Sequence, residues 1–292
     1  MVKRTAQSFI FMVAIALPAH AFAIDLQPGD AVAPPPNLNV VQVTYLASSR
    51  GDWYSNGSKV SDQTKLDSNQ FQFRYSHTFE TADMPSVFYV QTPIGYSHPG
   101  GALASLYKPE SGVGDTSMLY AIWPYANRET RTYWAVGAYL TVPTGYYDAS
   151  NGSVNVGANR FATALQTAYQ TSVTANIDWM AAVDAVVFGD NPDFSATKKR
   201  LGQDPLYTLQ TGLSYQINSR YSIAGTYYYT AGAETFQNGV AQNDQTQVQR
   251  YQLSLVSNFS FGRILLQYGS DLKTKNGFYE DSRLLLRFVK AF

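Results

Sequence analysis

From residue 38 to the last residue, the chain is a succession of segments of about ten residues in which apolar and polar side chains alternate. Alternation with a period of two marks a strand with two unlike faces. About twelve such segments can be read, at 38–48, 68–79, 87–96, 115–123, 132–142, 160–169, 175–188, 206–217, 221–232, 248–256, 263–270 and 282–292. In the second, Phe71, Phe73, Tyr75 and Phe79 face away from Gln70, Gln72, Arg74, Ser76 and Thr78. In the seventh, Ile177, Trp179, Val183 and Val187 oppose Asn176, Asp178 and Asp184.

A soluble sandwich also alternates, so the connectors decide. Long stretches at 51–67, 97–113, 143–159, 189–205, 233–247 and 271–281 take turns with short ones at 80–85, 124–131, 170–174, 218–220 and 257–262. Short periplasmic turns alternating with long extracellular loops are what an outer-membrane barrel requires. Closure follows from physics, because an open sheet edge in hydrocarbon leaves each backbone N–H and C=O unpaired at a cost of several kcal/mol, roughly. The expected fold is all-β, a single transmembrane antiparallel β-barrel of the bacterial outer membrane with about 12 strands.

The composition agrees. Charged residues make up 14% of the chain, against roughly 25% in soluble domains. Lys+Arg and Asp+Glu both number 21, so there is no basic excess for nucleic acid. The absence of cysteine removes a disulfide framework, a thiolate metal site, a Cys nucleophile and a lipidated N-terminal Cys.

Residues 1–23 read as a cleaved secretory signal: Lys3 and Arg4, an apolar stretch from Ser8 to Pro18, then Ala21-Phe22-Ala23, with a cut after Ala23 or Ala21. The expected route is export through the inner membrane to the bacterial outer membrane. Residues 24–37, with Pro28, Gly29 and Pro34-Pro35-Pro36, read as a stiff periplasmic N-terminal arm and a candidate plug; 38–292 form the barrel. Aromatic residues at or near strand ends, namely Tyr96, Trp123, Tyr125, Tyr146, Tyr147, Tyr227 to Tyr229 and Tyr268, suit headgroup-level belts.

The final segment places Leu284, Leu286, Phe288 and Phe292 on one face. It resembles the C-terminal signature that the barrel assembly machinery reads, with Lys290 departing from the apolar pattern. Several further motifs carry a family resemblance: Leu26-Gln27-Pro28-Gly29-Asp30 with Ala33-Pro34-Pro35-Pro36, Gly112-Val113-Gly114-Asp115, Val142-Pro143-Thr144-Gly145-Tyr146-Tyr147, and Gly157-Ala158-Asn159-Arg160. On these the chain resembles the family named for the meta-pathway of phenol degradation, over nearly its whole mature length. The resemblance implies an outer-membrane channel-like protein, and the family name implies uptake of aromatic compounds.

An outer-membrane hydrolase would need a His beside Ser or Asp. The mature chain offers His77, on an outward register, and His98, in an expected outer loop. No nucleophile elbow or metal-binding His pair accompanies either, so no catalytic residue, metal or cofactor is expected. Charges on the inward register are the candidate lumen-lining residues: Arg74, Asp178, Asp184, Arg250, Arg283 and Arg287. They either line a wet path or brace a narrow barrel. Asp178 and Asp184 stand about 20 Å apart along one strand, too far for a carboxylate pair; each is expected to find a partner across the barrel.

The function expected is passive diffusion of small organic, aromatic compounds across an outer membrane. The alternative is a non-transporting barrel serving as adhesin, scaffold or envelope-stability protein. Expected partners are outer-membrane lipid, the barrel assembly machinery and small organic solutes; the oligomeric state is left open.

Overall fold

The computed structural model describes residues 24–152 and 154–292; the expected signal sequence, residues 1–23, lies outside the described residues. Twelve long antiparallel strands form one closed barrel. They are β1 (Asn39–Ser55), β2 (Thr64–Thr81), β3 (Met84–Gly101), β4 (Thr116–Asn127), β5 (Thr132–Val142), β6 (Ala162–Ser172), β7 (Ile177–Phe188), β8 (Leu206–Gln216), β9 (Tyr221–Gly232), β10 (Thr246–Phe259), β11 (Gly262–Thr274) and β12 (Gly277–Ala291). Every expected segment is a strand. Each pairs with its sequence neighbours, and β12 returns to β1 in a register from Val40↔Ala291 to Tyr54↔Gly277. Asn39 and Phe292 exchange both backbone hydrogen bonds, at 3.0 and 2.9 Å, and complete the seam.

The barrel is apolar outside and polar within. Phe71, Phe73 and Tyr75 on β2, Val183 and Val187 on β7, and Leu209, Leu213 and Tyr215 on β8 are exposed. Gln42, Thr44, Gln210, Gln252, Ser254 and Gln267 are buried. A soluble fold would reverse this, because apolar surface in water costs about 25 cal/mol per Å².

Several strands run further than the alternation indicates. β1 extends to Ser55 and β3 to Gly101, so His98 is a strand residue opposite Asp67 rather than a loop residue. At the long-loop end Leu66, Leu103, Val154 and Phe278 form a cluster over the barrel rim, with Trp53 and Tyr107 packed against it. The connections after β7 and β9 make a separate small sheet from Asn191–Phe194, Lys199–Gln203, Thr235–Gln237 and Val240–Ala241.

Two aromatic residues expected in the headgroup belts point inward instead. Trp123 is buried because it continues the inward alternation of Leu119 and Ala121; the register between β4 and β5 slips between Ile122 and Tyr125. Pro124 sits in that slip, where its missing N–H leaves no ladder bond unmade. The extra residue turns Tyr125, which alternation would put inside, to the outside. In the Tyr227–Tyr229 run, alternation puts Tyr228 inside, almost fully buried.

The outward register gives a direct test. Leu253 is exposed near the middle of β10, whereas Tyr221 is at the short-turn end of β9. Leu253→Arg is expected to lower unfolding free energy in lipid vesicles by about 2–4 kcal/mol, and Tyr221→Arg by about 0–1 kcal/mol. Urea titration of both variants measures the difference, and equal losses would contradict a spanning barrel.

Candidate solute path through the barrel

The lumen has two unlike walls. On β3 to β7, inward Tyr89, Leu119, Ala121, Trp123, Ala135 and Ala168 belong to one apolar cluster, beside the polar Gln166 and Asp184. On β10 to β12 most of the charge is gathered: Arg250, Asp271, Glu280, Arg283 and Arg287 are all inside, beside a small apolar cluster of Val256, Leu265 and Leu285. Glu280 accepts from Ser48 Oγ at 2.5 Å, Arg50 Nη2 at 2.9 Å and Arg283 Nε at 2.9 Å. Asp271 Oδ2 accepts from Thr274 Oγ1 and from the Glu280 N–H, each at 2.9 Å.

Residues 24–34 of the arm run inside the barrel and suit both walls. Ala31 and Ala33 pack into the apolar cluster. Asp25 pairs with Arg250 at 2.5 Å and lies 3.7 Å from Arg283; Asp30 pairs with Arg287 at 3.3 Å. The backbone of the arm is satisfied by the wall as well. Trp123 Nε1 donates to the Ala31 carbonyl at 2.8 Å and Gln166 Nε2 to the Ile24 carbonyl at 2.9 Å. The Leu26 N–H donates to Gln210 Oε1 at 3.2 Å, and Arg263 donates to the Pro28 carbonyl. A buried backbone group without such a partner would cost about 1–3 kcal/mol.

The six charged residues singled out by the sequence therefore have different surroundings. Arg250, Arg283 and Arg287 meet the arm. Arg74 donates through Nε to Gln91 Oε1 at 2.9 Å, and its guanidinium carbon stands 4.0 Å from the Tyr89 ring centroid. Asp178 pairs with Arg131 at 3.1 Å, from the adjacent short turn. Asp184 is buried and accepts from Gln166 at 3.4 Å. Both aspartates thus find neighbours on their own side of the barrel instead of cross-barrel partners. Asp25, Asp30, Glu280 and Tyr228 complete the network; Tyr228 donates to Gln252 at 2.8 Å under the Arg250 guanidinium. Their signal in the sequence is only that Tyr228 must face opposite to Tyr227 and Tyr229. Leu284, Leu286, Phe288 and Phe292 lie on the outer face.

His77 Nδ1 lies 3.0 Å from Asn39 Oδ1 and His98 Nδ1 2.9 Å from the Tyr96 hydroxyl, both exposed. Among the described residues no three His, Asp or Glu side chains meet as a metal ion would require.

At the long-loop end, three of the motifs come together on Asp115. Its Oδ1 accepts the Gly145 N–H at 2.9 Å and its Oδ2 the Ala158 N–H at 2.7 Å. Burial raises this carboxyl above the usual range, against the lowering effect of the two N–H donors. A side chain at Gly157 would place Cβ 2.8 Å from the Gly145 carbonyl carbon and the Tyr146 carbonyl oxygen, so the two ends of this connection meet only through glycine. The clasp holds the 143–159 connection against the start of β4.

This is the architecture of an outer-membrane β-barrel channel whose N-terminal segment occupies its lumen. A family model described as "Putative MetA-pathway of phenol degradation" matches residues 50–288, and the chain belongs to that family. It is similar to the crystal structure of an outer membrane channel from Pseudomonas putida F1, with 30% identity, 92% of this chain and 100% of that chain covered, and a TM-score of 0.88. The β domain of the Bordetella autotransporter BrkA shares 6% identity over 88% of this chain and 100% of its own, at a TM-score of 0.53. The transport unit of the autotransporter AIDA-I from Escherichia coli shares 8% over 93% of each chain, at 0.50. These last two share the fold alone. No curated protein matches the sequence.

Asp115→Asn replaces one acceptor oxygen by an NH2 group facing an N–H. It is expected to cost about 1–3 kcal/mol and to lower the temperature at which the barrel loses its compact, heat-modifiable gel mobility. Asp115→Asn melting with the wild type would show that the clasp does not brace the loops.

Proposed function

We propose that the protein resides in the outer membrane after export and admits small organic, aromatic compounds by passive diffusion, without catalysing a reaction on them. Short turns then face the periplasm, long loops face outside, and the last strand is the segment recognised by the barrel assembly machinery. The observation that carries this reading is the lumen. A wall of small and aromatic side chains faces the arm, and the space left between them is lined by Tyr89, Tyr139, Trp123, Leu119 and Ala121. An organic ring can pack against such a wall and slide along it.

The arm also motivates the second reading, a non-transporting barrel. Its two carboxylates are paired with wall arginines, and truncating one partner of a buried pair typically costs about 3–5 kcal/mol. A permanently latched arm would leave an envelope-stabilising shell.

Planar-bilayer recording separates them. The wild type is expected to conduct sparsely in simple salt and to respond to added phenols and aromatic acids. In the double variant Asp25→Asn/Asp30→Asn the arm loses both charges. Each 1.4 kcal/mol of weakened latch multiplies the arm-released population about tenfold, so the open-channel frequency is expected to rise by at least about that factor. An unlatched variant that neither conducts nor passes any aromatic compound would put the non-transporting barrel first.

A further inference from the structure

Between the arm and the apolar wall is a cavity of about 210 Å³. It exists because inward positions of β4 to β6 carry Ala121, Ala135, Gly137 and Ala168 where larger side chains would fill the space. An apolar cavity of about 150 Å³ suffices for benzene, so this one holds a single ring with one substituent.

Its polar rim is selective. Arg50, Arg250, Arg283 and Arg287 each have a carboxylate partner in the lumen. Arg74, which lines the cavity, has none among the described residues, only the neutral Gln91 amide and the Tyr89 ring. The Tyr89 hydroxyl has no hydrogen-bond partner among the described residues although Tyr89 is 8% exposed, and a buried phenol normally finds one. Tyr139 also lines the space and already donates to Gln166 Oε1 at 2.9 Å. Asp25 and Asp30 reach the cavity too, but each is engaged by an arginine of the opposite wall.

Resting on the channel reading above, we propose that this cavity is a binding subsite for a one-ring aromatic carboxylate, its ring against Leu119, Ala121, Ala135 and Trp123 and its carboxylate on Arg74 and the Tyr89 hydroxyl. A plain hydrocarbon of the same size would fit the volume but leave the guanidinium without a counter-charge and the hydroxyl without a hydrogen-bond partner, both of which a carboxylate supplies. The subsite therefore ranks benzoate above toluene.

The experiment uses the full mature chain in lipid nanodiscs, titrated with benzoate and with toluene and read by ligand-observed NMR. Benzoate is expected to bind the wild type more tightly than toluene. Arg74→Gln should weaken benzoate about tenfold or more, equivalent to 1.4 kcal/mol, and toluene by less than about twofold. Tyr89→Phe should shift the two ligands in the same sense by a smaller factor, and Arg74→Lys should recover part of the benzoate affinity. Ala135→Leu fills the cavity with Arg74 intact and should remove both ligands, which keeps the test alive if Arg74→Gln fails to reach the compact, heat-modifiable form. The subsite is overturned by a wild type that binds neither compound, by an Arg74→Gln protein that binds benzoate as the wild type does or loses both ligands equally, or by undiminished binding in Ala135→Leu. Aromatic passage in the bilayer is scored separately. Passage without Arg74-dependent binding rejects the subsite and keeps the channel; Arg74-dependent binding without passage supports the subsite and rejects the channel.

Discussion

The seam between β1 and β12 is the contact on which the rest of the molecule depends. A sheet facing hydrocarbon has no water to satisfy an edge, so twelve strands are stable there only as a ring. Closing it brings the first and last strands into register from Val40↔Ala291 onward, across almost the whole sequence. Once the ring is closed, each strand has one lipid side and one lumen side, and the alternation of side chains becomes a division between two solvents. Everything apolar on the outside is then at rest, and the polar side chains are gathered into a space too narrow for bulk water to serve them all.

That crowding explains the arm. A wall holding Arg250, Arg283 and Arg287 beside only Glu280 and Asp271 needs further negative charge, and Asp25 and Asp30 supply it from residues that belong to no strand. The opposite wall needs apolar cover, which Ala31 and Ala33 provide. Proline stiffness at Pro34-Pro35-Pro36 limits the conformations open to the segment and so lowers the entropy lost when it enters the lumen. The arm is thus complementary to the lumen as a ligand is to its site, and its grip is electrostatic on one side and steric on the other.

The outer surface was legible in the sequence because it obeys a local rule. Phe71, Phe73 and Tyr75 announce their face by spacing alone, and so do Leu284, Leu286 and Phe288. The lumen obeys no local rule. Asp25 meets Arg250 at a separation of 225 residues, and no periodicity carries such information. Trp123 was misplaced because its position near a strand end was read without its phase, which is that of inward Leu119 and Ala121; Tyr125 reaches the outside only through the extra residue at Pro124, which inverts the register. Tyr228 was misplaced for a simpler reason: in Tyr227-Tyr228-Tyr229 the pleat obliges the middle ring to face away from its neighbours, whatever belt the outer two join. The Asp115 clasp stood in the sequence only as glycine-bearing motifs. Their meaning, a carboxylate receiving N–H groups from the two ends of one connection, needed three stretches of chain to be seen side by side.

The same separation of walls bears on selectivity. Were arginines and apolar residues interspersed around the lumen, an organic solute would meet a charged group at every height and pay desolvation throughout its passage. Here the arm pairs with the charged wall and lays Ala31 and Ala33 on the other, and the space left beside them is lined by Leu119, Ala121, Ala135 and Trp123. Arg74 on β2 stands where the two walls join, the one guanidinium of the six sequence-selected charges that neither the arm nor an aspartate engages. An arm that masks the charged side therefore leaves a largely apolar cavity with Arg74 at its rim. In the proposed channel, blocking and selecting would follow from the same arrangement, because the segment that narrows the barrel also decides which of its walls a solute can touch.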